Sequence, residues 1–189
     1  MSTLIRDIVR NATGTSHRHL DTASSRLDLS RPRSYAGFLR GQAEALFPLE
    51  TALEAGGIGE ILRDWSQRAR TRALENDLTV LDVSCDPLPV PQFADIPRMF
   101  GAVYALEALR NGARGVLMRL ARQNPESCVM GATRYLQHGL NKPLWPLFLA
   151  ALESHPEVRS NPANVVEGAQ TAFGMFESTL IPVVGIAAE

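Results

Sequence analysis

The chain has 189 residues, of which 45% are hydrophobic, and this content is enough to bury one sizeable core. Its 19 basic residues balance 20 acidic ones, so no long-range field attracts nucleic acid or an anionic membrane. The longest strongly apolar run, residues 144–152, has about half the ~20 residues of a membrane-spanning helix and contains Pro146. No apolar signal-peptide core follows Met1. We therefore expect one cytoplasmic domain over residues 1–189 that binds neither nucleic acid nor membrane.

Apolar residues recur at helical spacing along almost the whole chain, and no stretch alternates with the period of two that strands show. Two helices are predicted before residue 55, and a third spans residues 58–74. Four prolines within residues 87–97 interrupt regular helix and predict a connecting loop. A long helix is predicted over residues 99–122, and Asn141 and Asn161, each shortly followed by proline, start two more. The sequence therefore predicts an all-α, single-domain bundle of several helices.

The first predicted helix carries two of the four histidines, His17 and His19. Its apolar stripe is predicted to consist of Ile5, Val9, Ala12, Ser16 and Leu20. At about 100° per residue the two imidazoles point about 200° apart, so at most one of them faces the interior. Arg10, Thr13 and His17 follow steps of three and four, which places Arg10 two turns, about 10 Å, from His17 on one side of the helix. A ligand that contacts both would be large and carry an anion at its edge, as a porphyrin with propionates does.

The long helix of residues 99–122 carries small residues on one side. Tyr104, Ala108, Gly112 and Gly115 lie at steps of four, four and three. Glycine inside a helix lowers helix stability by about 1 kcal/mol relative to alanine. Two glycines within one turn therefore indicate that a surface without side chains has a structural or functional role. Either another helix or a ligand can approach the backbone closely on this side.

These two segments carry a family resemblance. V-R-N-A-T-G-T-S-H-R-H-L-D, residues 9–21, is similar to the first-helix signature of biliverdin-forming heme oxygenases, approximately L-[RK]-x-A-T-x-x-x-H-x-x-L-D. G-A-V-Y-A-L-E-A-L-R-N-G-A-R, residues 101–114, resembles the distal-helix pattern G-A-L-Y-V-L-E-G-S-R-L-G-G-R of bacterial members. The segments L-W-P-L-F-L-A-A-L-E and A-F-G-M-F-E also resemble segments of bacterial members, including those that supply chromophore to phytochromes.

The resemblance implies a helical sandwich that holds heme between the first helix and a kinked distal helix, with the neutral imidazole of His17 as the axial ligand of the iron. Arg10 takes the place of a cation that pairs with a propionate, and Thr13, Tyr104 and Gly115 complete the expected heme-binding set. The implied reaction cleaves heme with dioxygen and a reductant to biliverdin, iron and carbon monoxide. The implied partners are an external electron donor, such as ferredoxin or a flavoprotein reductase, and a phytochrome that receives biliverdin.

The distal segment departs from the family pattern. Of the three glycines in G-S-x-L-G-G only Gly112 remains, because Ala108 and Ala113 replace the other two, and Leu109 replaces the polar residue. We expect the alanines to narrow the distal cleft and Leu109 to remove an anchor for a proton-relaying water. Catalytic roles are assigned to Gly112 and Ala108, and to Asn111 as a substitute anchor for that water.

Two other hypotheses on function remain open. One is a non-catalytic heme-binding, tetrapyrrole-binding or regulatory protein on the same scaffold. The other is a helical hydrolase of the thiamine-degrading kind, which would use Cys128 as a nucleophile near a helix start. A ferritin-like di-iron enzyme would need Glu-x-x-His pairs, which the sequence lacks. His138 and His155 fit no motif and are expected at helix ends or in solvent.

Overall fold

The computed structural model describes residues 4–29, 31–123 and 128–186. Within these residues the chain forms ten α-helices and a short 3-10 helix, Cys128–Gly131, and it forms no strand. The α-helices are α1 (Ile5–Arg26), α2 (Pro32–Ala55), α3 (Ile58–Ile61), α4 (Trp65–Arg68), α5 (Thr71–Val80), α6 (Ile96–Gln123), α7 (Arg134–Gln137), α8 (Leu144–Ser154), α9 (Pro156–Ser160) and α10 (Pro162–Ile186). The all-α prediction is confirmed, while a single domain over residues 1–189 stays a prediction.

Proline marks several helix boundaries. Pro32, Pro156 and Pro162 stand at the first position of α2, α9 and α10, where the amide that proline lacks would have no partner inside the helix. The segment between α5 and α6 contains three of the four prolines and no helix, as predicted, whereas the fourth, Pro97, lies in the first turn of α6. The predicted third helix is instead divided into α3, α4 and the start of α5.

A contact with the distant helix α2 divides that third helix. The buried carboxylate of Glu50, on α2, accepts hydrogen bonds from the backbone amides of Arg70 and Thr71 at 2.8–3.0 Å. These bonds start α5 as a separate helix, because they satisfy amides that a continuous helix would have paired within itself. The apolar spacing contains no sign of this long-range contact.

Helix α6 runs without a break through Gly112 and Gly115. Its first half is buried and packs against α10, where Gly101 of α6 and Gly168 of α10 bring the two backbones together. A Cβ at Gly101 would overlap the carbonyl oxygen of Val165, so this contact requires glycine. The kink that the family resemblance implies in this helix stays a prediction.

Helix α1 packs chiefly against α10 and makes fewer contacts with α6 and α8. Its buried residues are Ile5, Val9, Thr13, Leu20 and Ala23. The prediction that Ala12 belongs to the apolar stripe is wrong: Ala12 is exposed, and Thr13 is buried in its place. No helix in the described part of the chain is both long and apolar enough to cross a bilayer.

Candidate functional site

A cavity of about 480 Å³ lies between α1, α6 and α8. Cavities of roughly 300–1,000 Å³ are typical of sites for small molecules and cofactors. Its lining consists of Arg10, Thr13, Gly14, His17 and Asp21 from α1, Tyr104, Ala108, Asn111 and Gly112 from α6, and Trp145 from α8. The structure thus brings seven of the eight predicted site residues together around one cavity.

Gly115 is the predicted site residue that does not line this cavity. It is exposed on α6, one turn beyond Gly112, where the helix has passed the end of the cavity. A heme-binding role of Gly115 stays a prediction. Ala113 and Leu109 were expected to face the same cleft as Ala108, but they do not line the main cavity. Both line a separate cavity of about 50 Å³. The two cavities adjoin each other, since Gly112 contributes to the walls of both.

The imidazole of His17 faces the main cavity and is held by a neighbour on its own helix. Its Nδ1 lies 2.9 Å from Oδ2 of Asp21, and its ring forms a T-shaped pair with the ring of Phe173 of α10 at a centroid distance of 5.9 Å. The side chain is 39% exposed. When the neutral imidazole donates its Nδ1 proton to the carboxylate, Nε2 carries a free lone pair, which is the form in which histidine ligates a metal.

His19 lies away from the cavity. Its side chain is 58% exposed, and its Nδ1 lies 3.1 Å from Oε1 of Glu177 on α10. The other carboxylate oxygen of Glu177 accepts a hydrogen bond from the hydroxyl of Ser16 at 3.2 Å. The expectation that at most one of the two histidines faces the interior is therefore confirmed, and that histidine is His17.

Arg10 and Tyr104 form a polar rim and an aromatic wall. The guanidinium of Arg10 is 69% exposed and pairs with Asp7 at 2.9 Å. Tyr104 is buried and packs against the indole of Trp145 at a centroid distance of 5.4 Å. Burial raises the pKa of the Tyr104 phenol, although the charge of Arg10 partly offsets this effect. The hydroxyl of Thr13 donates to the carbonyl oxygen of Val9 at 2.8 Å, so its proton is not free for a ligand.

Bare backbone is exposed on both main walls of the cavity. A Cβ at Gly112 of α6 would contact nothing within 4 Å, and one at Gly14 of α1 would contact only the end of the Arg18 side chain. Packing within the protein therefore does not require glycine at either position. The two glycines leave room for a broad, flat ligand to approach both helices closely.

Three cavity residues were not among the predicted site residues: Gly14, Asp21 and Trp145. Asp21 could have been found from its spacing, because a residue four positions after His17 lies on the same face of the helix. Trp145 belongs to α8, which is distant in sequence, and no local pattern shows where α8 packs.

An ionic cluster behind α6 fixes the position of this wall. The buried carboxylate of Glu107 lies 3.3 Å from the guanidinium of Arg68 and 3.0 Å from that of Arg110. Arg110 also donates to Nδ1 of His138 at 2.9 Å, at the end of α7. Burial, together with the charge of Arg110, lowers the pKa of His138 to about 4, so the imidazole is neutral near pH 7. His138 and His155 both lie at helix ends, as expected.

The cysteines offer no activated thiolate among the described side chains. Burial raises the pKa of the Cys85 thiol, and the nearby carboxylate of Glu44 raises it further. Cys128 begins the 3-10 helix, but its side chain lies outside the described residues. In the described part of the chain no three His, Cys, Asp or Glu side chains gather into a group that could hold a metal ion.

Comparison with known proteins identifies the fold. No protein-family model matches the chain, and no curated protein sequence matches it. A crystal structure of the NO- and CO-bound heme oxygenase from Neisseria meningitidis is similar, with a TM-score of 0.74 and 18% sequence identity. The match covers 97% of this chain and 94% of that chain. The chain thus has the all-α heme oxygenase fold, which the sequence resemblance implied.

Proposed function

We propose that this protein is a heme oxygenase, which cleaves heme with dioxygen and a reductant to biliverdin, iron and carbon monoxide. The observation that carries the proposal is the position of His17. Its Nδ1 is held by Asp21, it faces a cavity large enough for a cofactor, and the opposite wall is bare at Gly112. The heme oxygenase fold, which extends over nearly the whole chain, supports the same function.

The cavity residues fit heme in charge, shape and ligand type. Nε2 of His17 would hold the iron, Arg10 at the rim would pair with a propionate carboxylate, and Tyr104 and Trp145 would pack against the apolar macrocycle. Heme supplies both the redox-active iron and the carbon that is oxidised, whereas the protein supplies orientation and the surrounding polarity.

The α6 wall determines how much space remains beside the bound ring. Gly112 leaves this wall open, whereas the methyl group of Ala108 points into the space that a glycine would leave free. Asn111 lines the cavity and carries an amide that can both donate and accept hydrogen bonds. We assign Asn111 the task of holding a water from which a proton can be delivered, because Leu109 lines the other cavity and has no polar group.

The finer parts of the proposal follow from the sequence resemblance. The electrons come from an external donor such as ferredoxin or a flavoprotein reductase, and the product passes to a phytochrome in the cytoplasm. A rim with an exposed cation next to an open cavity is compatible with such transfer, since the bound ring would lie close to the surface.

Ala108 also favours a second candidate function, a protein that binds heme or another tetrapyrrole without cleaving it, because its methyl group occupies part of the wall. The two functions are separated by incubating the hemin complex with ascorbate and dioxygen. A heme oxygenase converts the heme to biliverdin, identified by chromatography, with release of carbon monoxide. Hemin that is bound stoichiometrically but recovered intact would establish the binding protein instead.

A further inference from the structure

Helix α1 is fastened at both ends by charged side chains from the other two walls of the cavity. At its start, the carboxylate of Glu153, on α8, accepts hydrogen bonds from the backbone amides of Ile5 and Arg6 at 3.1 and 2.9 Å. At its end, the guanidinium of Arg119, on α6, donates to the carbonyl oxygens of Ser24 and Leu27, both at 2.8 Å. We call Glu153 and Arg119 together the α1 clamp.

The clamp adds partners to the end groups of α1, of which the carbonyl oxygen of Ser24 also accepts a hydrogen bond from the backbone amide of Leu27. The first amides and the last carbonyls of a helix have no partners within it, and the N-cap residue Leu4 offers no side-chain hydrogen bond. A carboxylate at the start and a cation at the end also complement the helix dipole. Each charged group makes two bonds, so each fixes the direction of the helix end as well as its position.

The position of the clamp connects it to the cavity. Helix α1 packs chiefly against α10, and the cavity separates the middle of α1 from α6. Among the described residues, the hydrogen bonds that join α1 and its C-cap residue Leu27 to α6 or α8 are the four bonds of the clamp. His17 lies between the two clamped ends, so its distance from the α6 wall depends on both ends of the clamp.

We propose that Glu153 and Arg119 are positioning residues that set the separation of α1 from α6, and thereby the strength and geometry with which His17 ligates the heme iron. The heme part of this inference rests on the proposed function. Neither residue lines the cavity, so any effect on bound heme is transmitted through α1.

The test compares Arg119→Ala and Glu153→Gln with the conservative variants Arg119→Lys and Glu153→Asp. Arg122→Ala, on the same exposed end of α6, and Glu157→Gln, on α9, serve as matched controls. The measurements are the rate at which hemin transfers to a scavenging apoprotein, the ferric heme spectrum, and the thermal unfolding midpoint of the heme-free protein.

Arg119→Ala and Glu153→Gln should each release hemin roughly tenfold faster, the factor that corresponds to about 1.4 kcal/mol, and should show a mixture of ferric spectral forms. The conservative variants should recover part of the loss, and the controls should match the wild type. A lowered unfolding midpoint with a wild-type release rate and spectrum would overturn the proposal, because the two residues would then be helix caps alone. If one variant fails to fold, the hemin release rate and spectrum of the variant at the other end of α1 test the proposal.

A second measurement keeps this inference separate from the proposed function. If wild-type protein does not bind hemin, the proposed function fails, and amide hydrogen exchange in α1 then tests the clamp in the protein alone. Faster exchange around His17 in both variants, relative to both controls, would support it. Exchange equal to the wild type would overturn it.

Discussion

The carboxylate of Asp21 orients the imidazole of His17, with 2.9 Å between Oδ2 and Nδ1. Both residues line the main cavity of a heme oxygenase fold, and they are one turn apart on α1. Asp21 is 59% exposed, so this pair contributes little to the stability of the fold, about 1 kcal/mol at most. When Nδ1 donates its proton to this carboxylate, the contact sets the direction of the Nε2 lone pair.

Replacing Asp21 by alanine should weaken hemin binding by about 10–100-fold, the usual effect of removing the partner of a metal-bound histidine. The fold should persist, because the pair is largely exposed. A hemin titration with circular dichroism measures both properties. Glu177→Gln is the matched control, since it removes the charge of the carboxylate beside His19. Equal affinities for the two variants would show that Asp21 does not orient the iron ligand.

Arg10→Ala should weaken hemin binding only modestly, by about 1 kcal/mol or less, because the guanidinium is exposed and already pairs with Asp7. The more sensitive result is the mixture of biliverdin isomers, which should broaden when the ring is held less firmly at one edge. Chromatography of the product measures this mixture. Arg6→Ala removes an exposed cation from the previous turn as the control. An isomer ratio and an affinity equal to those of the control would place Arg10 outside the binding site.

Ala108→Gly should increase the rate of heme cleavage, because the methyl group of Ala108 lies in the wall of the main cavity. A tenfold gain requires only about 1.4 kcal/mol in the barrier, although the glycine costs the helix about 1 kcal/mol. Ala113→Gly makes the same change on the same helix but beside the smaller cavity, and it should leave the rate unchanged. Biliverdin formation with ascorbate and dioxygen gives both rates. If Ala113→Gly increased the rate as much as Ala108→Gly, crowding in the main cavity would not limit turnover.

The partly buried His138 should make the protein less stable in acid. Its folded pKa of about 4 lies below its ordinary value of 6.5, so only the unfolded chain takes up a proton between these values. The stability that neutral His138 contributes is complete above pH 6.5 and decreases as the pH falls towards 4. After allowance for solvent screening, the decrease should be about 1–2 kcal/mol.

The variant His138→Gln isolates this effect, because its amide oxygen can accept the hydrogen bond from Arg110 but does not titrate in this range. Urea unfolding at pH 7 and pH 4.5 should show a smaller loss of free energy for the variant than for the wild type. Buried Asp77 has a raised pKa, so it also makes the free energy of unfolding depend on pH. Its contribution is the same in both proteins and cancels when their losses are compared. Parallel losses in the two proteins would mean that His138 is not held neutral.

The sequence predicted the cavity better than it predicted the packing around it. Helical spacing alone placed Arg10, Thr13 and His17 on one side of α1, because residues three and four apart share a face. The glycine-containing stripe predicted the opposite wall as far as Gly112. Both predictions depend on local geometry, which a single sequence contains.

Three of the differences depend on contacts between distant residues. The contact of Glu50 with the start of α5 divided a helix that apolar spacing predicted as continuous. Gly115 follows the same spacing as Gly112, but the cavity ends before it, and the length of a cavity depends on the neighbouring helices. Hydrophobic patterns could not predict the cluster of Glu107, Arg68 and Arg110, because charged side chains are buried only where the fold brings oppositely charged partners to them.

A hemin titration of the wild type and of two variants with matched substitutions, His17→Ala and His19→Ala, tests the central claim most directly. The account predicts one hemin per chain with a histidine-ligated spectrum in the wild type and in His19→Ala, because His19 pairs with Glu177 away from the cavity. It predicts loss of that spectrum in His17→Ala. A histidine-ligated spectrum that survives in His17→Ala, or disappears in His19→Ala, would contradict the assignment of His17 as the iron ligand.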